Sequence, residues 1–176
     1  NLYIMVVNNV AIEIEGMDKT GKDTLAKYLS LMANYTYTIN VRGILTQLVY
    51  NDKFGRNNTY ALPYRPFIVF LDVDNVDHAV RCVAAGEPKI NINKDREVYY
   101  KYIKKFKELG ITVLTYNTSE MTPYMIAKDV IEQLSKIDIK DYIMDKPLYF
   151  DSLNSYTSED LKNEDVFYKF DPTEEN

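Results

Sequence analysis

Gly16-Met17-Asp18-Lys19-Thr20-Gly21-Lys22-Asp23-Thr24 lies directly after the alternating run Val10 to Glu15 and directly before an apolar-periodic segment. Its glycines stand at the first and sixth positions of G-x-x-x-x-G-K, the spacing that lets backbone curl around a phosphate with several N–H groups turned inward. Lys22 follows where its ammonium reaches the outer phosphates of a nucleotide, and a helix starting there aims its positive end at the same anion. An ordinary glycine turn is the alternative; the strand before and the helix after favour the phosphate loop. One position departs from the pattern: Asp23 stands where a Ser or Thr hydroxyl usually meets Mg²⁺, with Thr24 next in line.

Outward from the loop, 176 residues at 46% hydrophobic content suffice for one well-buried core. The reading is one phosphate-loop domain over residues 1–137 and an acidic extension over 138–176. The balance of 21 basic against 26 acidic residues offers no general grip on duplex DNA or an anionic membrane. Cys82 is the single cysteine, which excludes an internal disulfide and fits a reducing compartment. Leu2 to Val7 is too short for a membrane span and lacks the flanks of a signal peptide. The expectation is a soluble, cytoplasmic protein. His78, the single histidine, excludes a polyhistidine metal site and reads as a solvated surface residue.

Leu2 to Val7 reads as an extra strand joined by Asn8-Asn9 to Val10–Glu15, although Glu13 and Glu15 interrupt what should be an apolar strand. Helix is predicted from Lys22 to Met32 with Leu25, Leu29 and Met32 inward, stopping at Asn34. Tyr35–Val41 is strand-like and Ile44–Tyr50 helical. Asn51 to Pro66, with Gly55, Asn57, Asn58, Pro63 and Pro66, reads as a loop. It carries Lys53, Arg56 and Arg65 among Phe54, Tyr60 and Tyr64, either a nucleotide-holding flap or a plain polar loop. Phe67–Asp72 is a continuous apolar run, as in a parallel strand buried on both faces, and ends in acids where open α/β sheets keep their ligands. Helices are predicted over Val76–Ala85, Asp95–Leu109 and from Pro123, capped by Thr122, with a strand over Ile111–Tyr116. The alternation argues for an α/β three-layer P-loop fold, a mostly parallel sheet with helices on both faces. From Asp138 the chain is acidic with aromatics such as Tyr149, Phe150, Phe167, Tyr168 and Phe170. Packing of those aromatics on the domain is favoured over a protein-docking motif.

IEGMDKTGKDT resembles the F-E-G-x-D-x-x-G-K-[ST]-T loop of the thymidylate kinase-like P-loop nucleoside monophosphate kinases, with Glu15, Gly16, Asp18, Gly21, Lys22 and Thr24 in register. RGILTQLVY is similar to that family's D-R-Y-x-x-S-x-x-A-Y motif through Arg42, Thr46 and Tyr50. FLDVD and the following helix match its L-D-V-x-P-E-x-x-x-x-R segment at Leu71, Asp72, Val73 and Arg81. The resemblance implies an ATP and Mg²⁺ site made of Gly16, Asp18, Thr20, Gly21, Lys22, Asp23 and Thr24, with Arg81 near the adenine. It places Asp23, Thr24 and Asp72 around the metal, and Lys19, Lys22 and Arg42 around the transferring phosphoryl group. Arg42 and Tyr50, with Arg56 or Arg65, would hold the acceptor. Val41 and Gly43 depart from the motif, and the chain has one strand where the family has a longer acceptor-gripping stretch.

The function expected is ATP-dependent phosphoryl transfer to a deoxynucleoside monophosphate, thymidylate first. Two alternatives stay open: a kinase of a nucleoside, nucleic-acid end or modified base, and an inactive nucleotide-binding domain whose acidic tail docks a protein partner. A homodimer is also left open.

Overall fold

The computed structural model of the chain describes residues 10–33, 37–56, 59–62, 64–87 and 92–162. The expected first strand, the stop at Asn34 and the aromatics from Phe167 onward lie outside them.

Four parallel strands form the main sheet in the order β2-β1-β4-β5: β1 is Ala11–Glu15, β2 Thr38–Val41, β4 Phe67–Asp72 and β5 Val113–Asn117. β1 sits between β2 and β4, with Ile14 opposite Val41 on one side and Val69 on the other. Period-2 alternation then assigns each side chain to a face. Ile12, Ile14, Phe67, Val69 and Leu71 join one buried cluster with Leu25 and Leu29 of α1 (Lys22–Met32) and Ile126 and Val130 of α5 (Pro123–Ser135). Ile68 and Phe70 join the opposite cluster with Leu45 and Leu48 of α2 (Ile44–Lys53) and Tyr99, Tyr102 and Phe106 of α4 (Ile92–Glu108). The expected sheet with helices on both faces is therefore present, and β4 is buried on both. α5 starts as the sequence indicates, the Thr122 hydroxyl accepting from Met125 N at 3.2 Å with Pro at the first turn.

The stretch from Asn51 to Pro66 differs from its reading as a loop. α2 runs on to Lys53, and β3 (Tyr60–Leu62) pairs antiparallel with β6 (Leu148–Phe150) of the acidic extension. Asn51, Asp52 and Lys53 look like a helix exit in sequence, yet all three are buried. The extension and α4 together hold Asp52: Leu153 N and the Ser152 hydroxyl of the extension and the Tyr102 hydroxyl of α4 all donate to its Oδ1, at 3.1, 2.5 and 2.6 Å. Tertiary contact has overridden local composition. A 3₁₀ turn (Ile139–Tyr142), helix α3 (Asn75–Ala84) at the carboxyl edge of the sheet and the short α6 (Ser158–Lys162) complete the described chain. No helix among the described residues is long and apolar enough to cross a membrane.

Candidate functional site

The loop between β1 and α1 has the backbone that its glycines imply. Gly16 has φ +148°, and a Cβ there would meet Leu71 O at 2.5 Å and Thr20 Oγ1 at 2.9 Å, so a side chain is excluded on two grounds. Gly21 is left-handed at φ +98° and no side chain caps the N-terminus of α1, so its first N–H groups are not spoken for by a cap. Lys22 folds back over the loop, its Nζ donating to Met17 O at 2.5 Å. Burial, and then the nearby Arg42 charge, pull its pKa down to about 8. Such a partly desolvated cation gains most from an anion placed beside it.

Arg42 is delivered to this loop by strand pairing. β2 runs beside β1, Arg42 N donates to Ile14 O at 2.9 Å, and the backbone turns through φ +64°. The guanidinium then pairs with the Asp18 carboxylate inside the loop. Tyr50, two turns along α2, lies close enough to interact electrostatically with Arg42 and packs its ring at 6.1 Å from Phe54.

The two acids that interrupt β1 hold α2 in place. Glu15 accepts from Gly43 N at 2.6 Å, Leu45 N at 3.2 Å, Thr46 N at 3.1 Å and the Thr46 hydroxyl. Glu13 accepts from Ile44 N at 3.2 Å and from the Tyr64 hydroxyl at 3.0 Å. Four orphan N–H groups of α2 thus end on carboxylates two residues apart on one strand face. Burial raises the pKa of both acids, that of Glu15 to about 7 despite these donors. The Thr46 hydroxyl also lies 3.1 Å from that of Tyr99, which comes within 3.4 Å of Gly16 O.

On the other side of the loop stands α3. His78 corrects the expectation of a solvated surface histidine: it is 2% exposed, with Nε2 at 2.6 Å from Asp18 O. Burial lowers its pKa. It sits on the apolar side of α3 with Ala79 and Cys82, which a lone residue type does not announce. Arg81 donates to Lys19 O at 3.3 Å and to Thr118 Oγ1 at 2.9 Å. Lys19, left-handed at φ +63°, pairs with Glu87 at 3.3 Å.

Asp72 ends β4, and its carboxylate is engaged: Arg96 Nε donates to Oδ1 at 2.9 Å and the Tyr100 hydroxyl to Oδ2 at 2.6 Å. Arg96 was not legible as a site residue, since its partners are brought to it by packing of α4. Asp23 and Thr24 are exposed on the first turn of α1. Among the described residues no group of three His, Cys, Asp or Glu is arranged to hold a metal by itself.

The structure therefore gathers Asp18, Lys19, Thr20, Lys22, Arg42, Tyr50 and Arg81 around one loop, and leaves two expected residues outside. Arg65 precedes β4 at the amino edge of the sheet and donates to Gly110 O at 3.2 Å, whereas the loop leaves the carboxyl edge. Arg56 follows the far end of α2, a helix length of roughly 15 Å from the terminus that faces the loop, and lies over the Phe54 ring. Lys53 is buried against Asp95. A cavity of about 480 Å³ opens beside Arg42, lined by Asn40, Gln47, Leu62 and Tyr64 with Glu13.

No protein-family model matches the chain, and no curated protein matches it. Among solved structures it is similar to the YorR protein of Bacillus subtilis, crystallised in complex with phosphorylated GDP, at 19% sequence identity and a TM-score of 0.56. The match covers 72% of this chain and 96% of that one, and at this identity it shows a shared α/β fold.

Proposed function

We propose that the chain is an ATP-dependent kinase that phosphorylates a deoxynucleoside monophosphate, thymidylate being the first acceptor to test. The observation that carries this reading is the approach of Arg42 to the loop that holds Lys22. A loop that only binds a nucleotide needs one cradle of N–H groups and one lysine; transfer needs a second cation that can orient an acceptor phosphate in line. β2 supplies it.

The loop fits a nucleoside triphosphate by its glycine geometry, its open helix terminus and its inward lysine. Bound ATP supplies the phosphoryl group. Lys22 and the loop N–H groups hold its phosphates, Lys19 on its left-handed turn offers a further cation, and Arg81 flanks the side expected for the adenine. Arg42 exchanges Asp18 for the acceptor phosphate, with Tyr50 beside it. The cavity next to Arg42 is of a size to take a sugar and base. Mg²⁺ fits only with phosphate oxygens among its ligands, since Asp72 is engaged by Arg96 and Asp23 and Thr24 stand on the exposed first turn of α1. Arg56 and Arg65 take no part in this arrangement.

YorR's phosphorylated GDP favours a second reading, in which the acceptor carries guanine. Thin-layer chromatography of ATP with each deoxy- and ribonucleoside monophosphate, with nucleosides and with 5′-hydroxyl oligonucleotides separates the options. A diphosphate product from at least one monophosphate is expected, and Lys22→Ala should remove it. Turnover confined to nucleosides or oligonucleotides would replace the acceptor class. Binding of ATP by calorimetry without turnover on any acceptor would leave an inactive nucleotide-binding domain.

A further inference from the structure

We propose that His78 is the positioning residue of the phosphate loop: through a hydrogen bond to Asp18 O it turns the loop's N–H groups toward the phosphate before any ligand arrives. This rests on the reading that the loop binds a triphosphate.

The argument begins with the hydrogen bond itself. A carbonyl oxygen only accepts, so His78 Nε2, 2.6 Å from Asp18 O, carries a ring proton, and in the neutral ring that burial favours Nδ1 is bare. Nδ1 is buried and has no hydrogen-bond partner among the described residues. The ring is therefore held in one tautomer by a single bond, and that bond ends on the loop. Three residues on, Arg81 donates to the next carbonyl, Lys19 O, while two bonds to Thr118 fix its guanidinium from behind. α3 thus holds two consecutive carbonyls of the loop.

The consequence follows from the planar trans peptide. In each unit the N–H points opposite to the C=O. With Asp18 O and Lys19 O drawn toward α3, the N–H groups of Lys19 and Thr20 point away from it. The left-handed backbone at Lys19, between residues on either side, is what makes successive N–H groups converge into a concave anion seat. A non-glycine residue does not hold that conformation unaided. His78 and Arg81 supply the restraint, and His78 supplies the buried part of it. Arg81 and Arg96 are the cations that face the imidazole and Asp72 the acid; together with burial their balance keeps the ring neutral.

Two substitutions separate positioning from filling space. His78→Gln returns an N–H donor near the Nε2 position, and His78→Leu keeps an apolar side chain without a donor. Calorimetry of ATP and of inorganic tripolyphosphate should give His78→Gln within about threefold of wild type and His78→Leu at least tenfold weaker. Hydrogen exchange of the loop amides in the nucleotide-free protein, read by mass spectrometry, should speed up in His78→Leu and not in His78→Gln. Unchanged exchange in His78→Leu, or equal acceleration in both variants, would overturn the proposal. Wild type that binds neither ATP nor tripolyphosphate would end the phosphate reading of the loop, and the exchange comparison would still decide what His78 does to it.

Discussion

Gly43 shows what one missing side chain can carry. A Cβ there would overlap the Glu13 carboxyl group, so the departure from an aromatic at this place in the motif follows from the glutamate below it. Its φ of −112° is not left-handed, so the reason for glycine here is the close approach. Gly43→Ala should cost about 1–3 kcal/mol through overpacking, seen as a thermal midpoint lower by several degrees. Glu13→Ala combined with it should recover part of that loss, because the two residues compete for one space. An unchanged midpoint in Gly43→Ala would refute the close approach. Glu13 itself was legible only as an anomaly, an acid in a buried strand, and the helix terminus it caps is thirty residues away in the chain.

At the scale of the element, β1 and α2 form one unit whose joint is titratable. The folded-state pKa of Glu15, about 7, lies above the ordinary value of 4.5 because the carboxyl is buried. The folded protein therefore binds more protons than the unfolded chain between those values. The stability linked to this group is complete below pH 4.5 and is lost as pH rises through about 7. Its size is roughly 3 kcal/mol at about 1.36 kcal/mol per pK unit. Glu15→Gln keeps an oxygen facing the helix N–H groups and cannot ionise. Urea unfolding at pH 5 and pH 8 should show wild type losing stability relative to the variant on going to the higher pH, with Glu13 common to both proteins. Parallel profiles would count against it. The helices were legible because their apolar periodicity is local: α1 runs from Lys22 to Met32 as predicted, and β4 from Phe67 to Asp72. The end of α2 was not, because Asp52 is held by Ser152 and Leu153 about a hundred positions later and by Tyr102, and Lys53 by Asp95, none of them local.

For the whole molecule, the acidic extension is tied into the fold. Phe150 is 3% exposed and meets Phe106 edge-on at 4.7 Å between ring centroids, while its strand pairs with β3. Phe150→Ala should cost about 3–5 kcal/mol and raise hydrogen exchange over Tyr60–Leu62 together with Leu148–Phe150; exchange that rises in β6 alone would show that β3 does not depend on it. Phe150 is packed on the domain as expected, Tyr149 beside it faces solvent, and Phe167, Tyr168 and Phe170 lie outside the described residues. The sequence by itself determined the glycine loop between β1 and α1 and the parallel α/β plan, which are written in glycine spacing and short-range periodicity that act within a few residues. The place of Arg42 was implied only by the family resemblance of RGILTQLVY. Only the tertiary structure decided that the acids of β1 cap α2, that His78 faces Asp18 and not water, and that Arg65 lies at the far edge of the sheet. Each depends on which strand lies beside which and on the direction in which it runs, and a residue's type does not encode the neighbour it will meet across the fold.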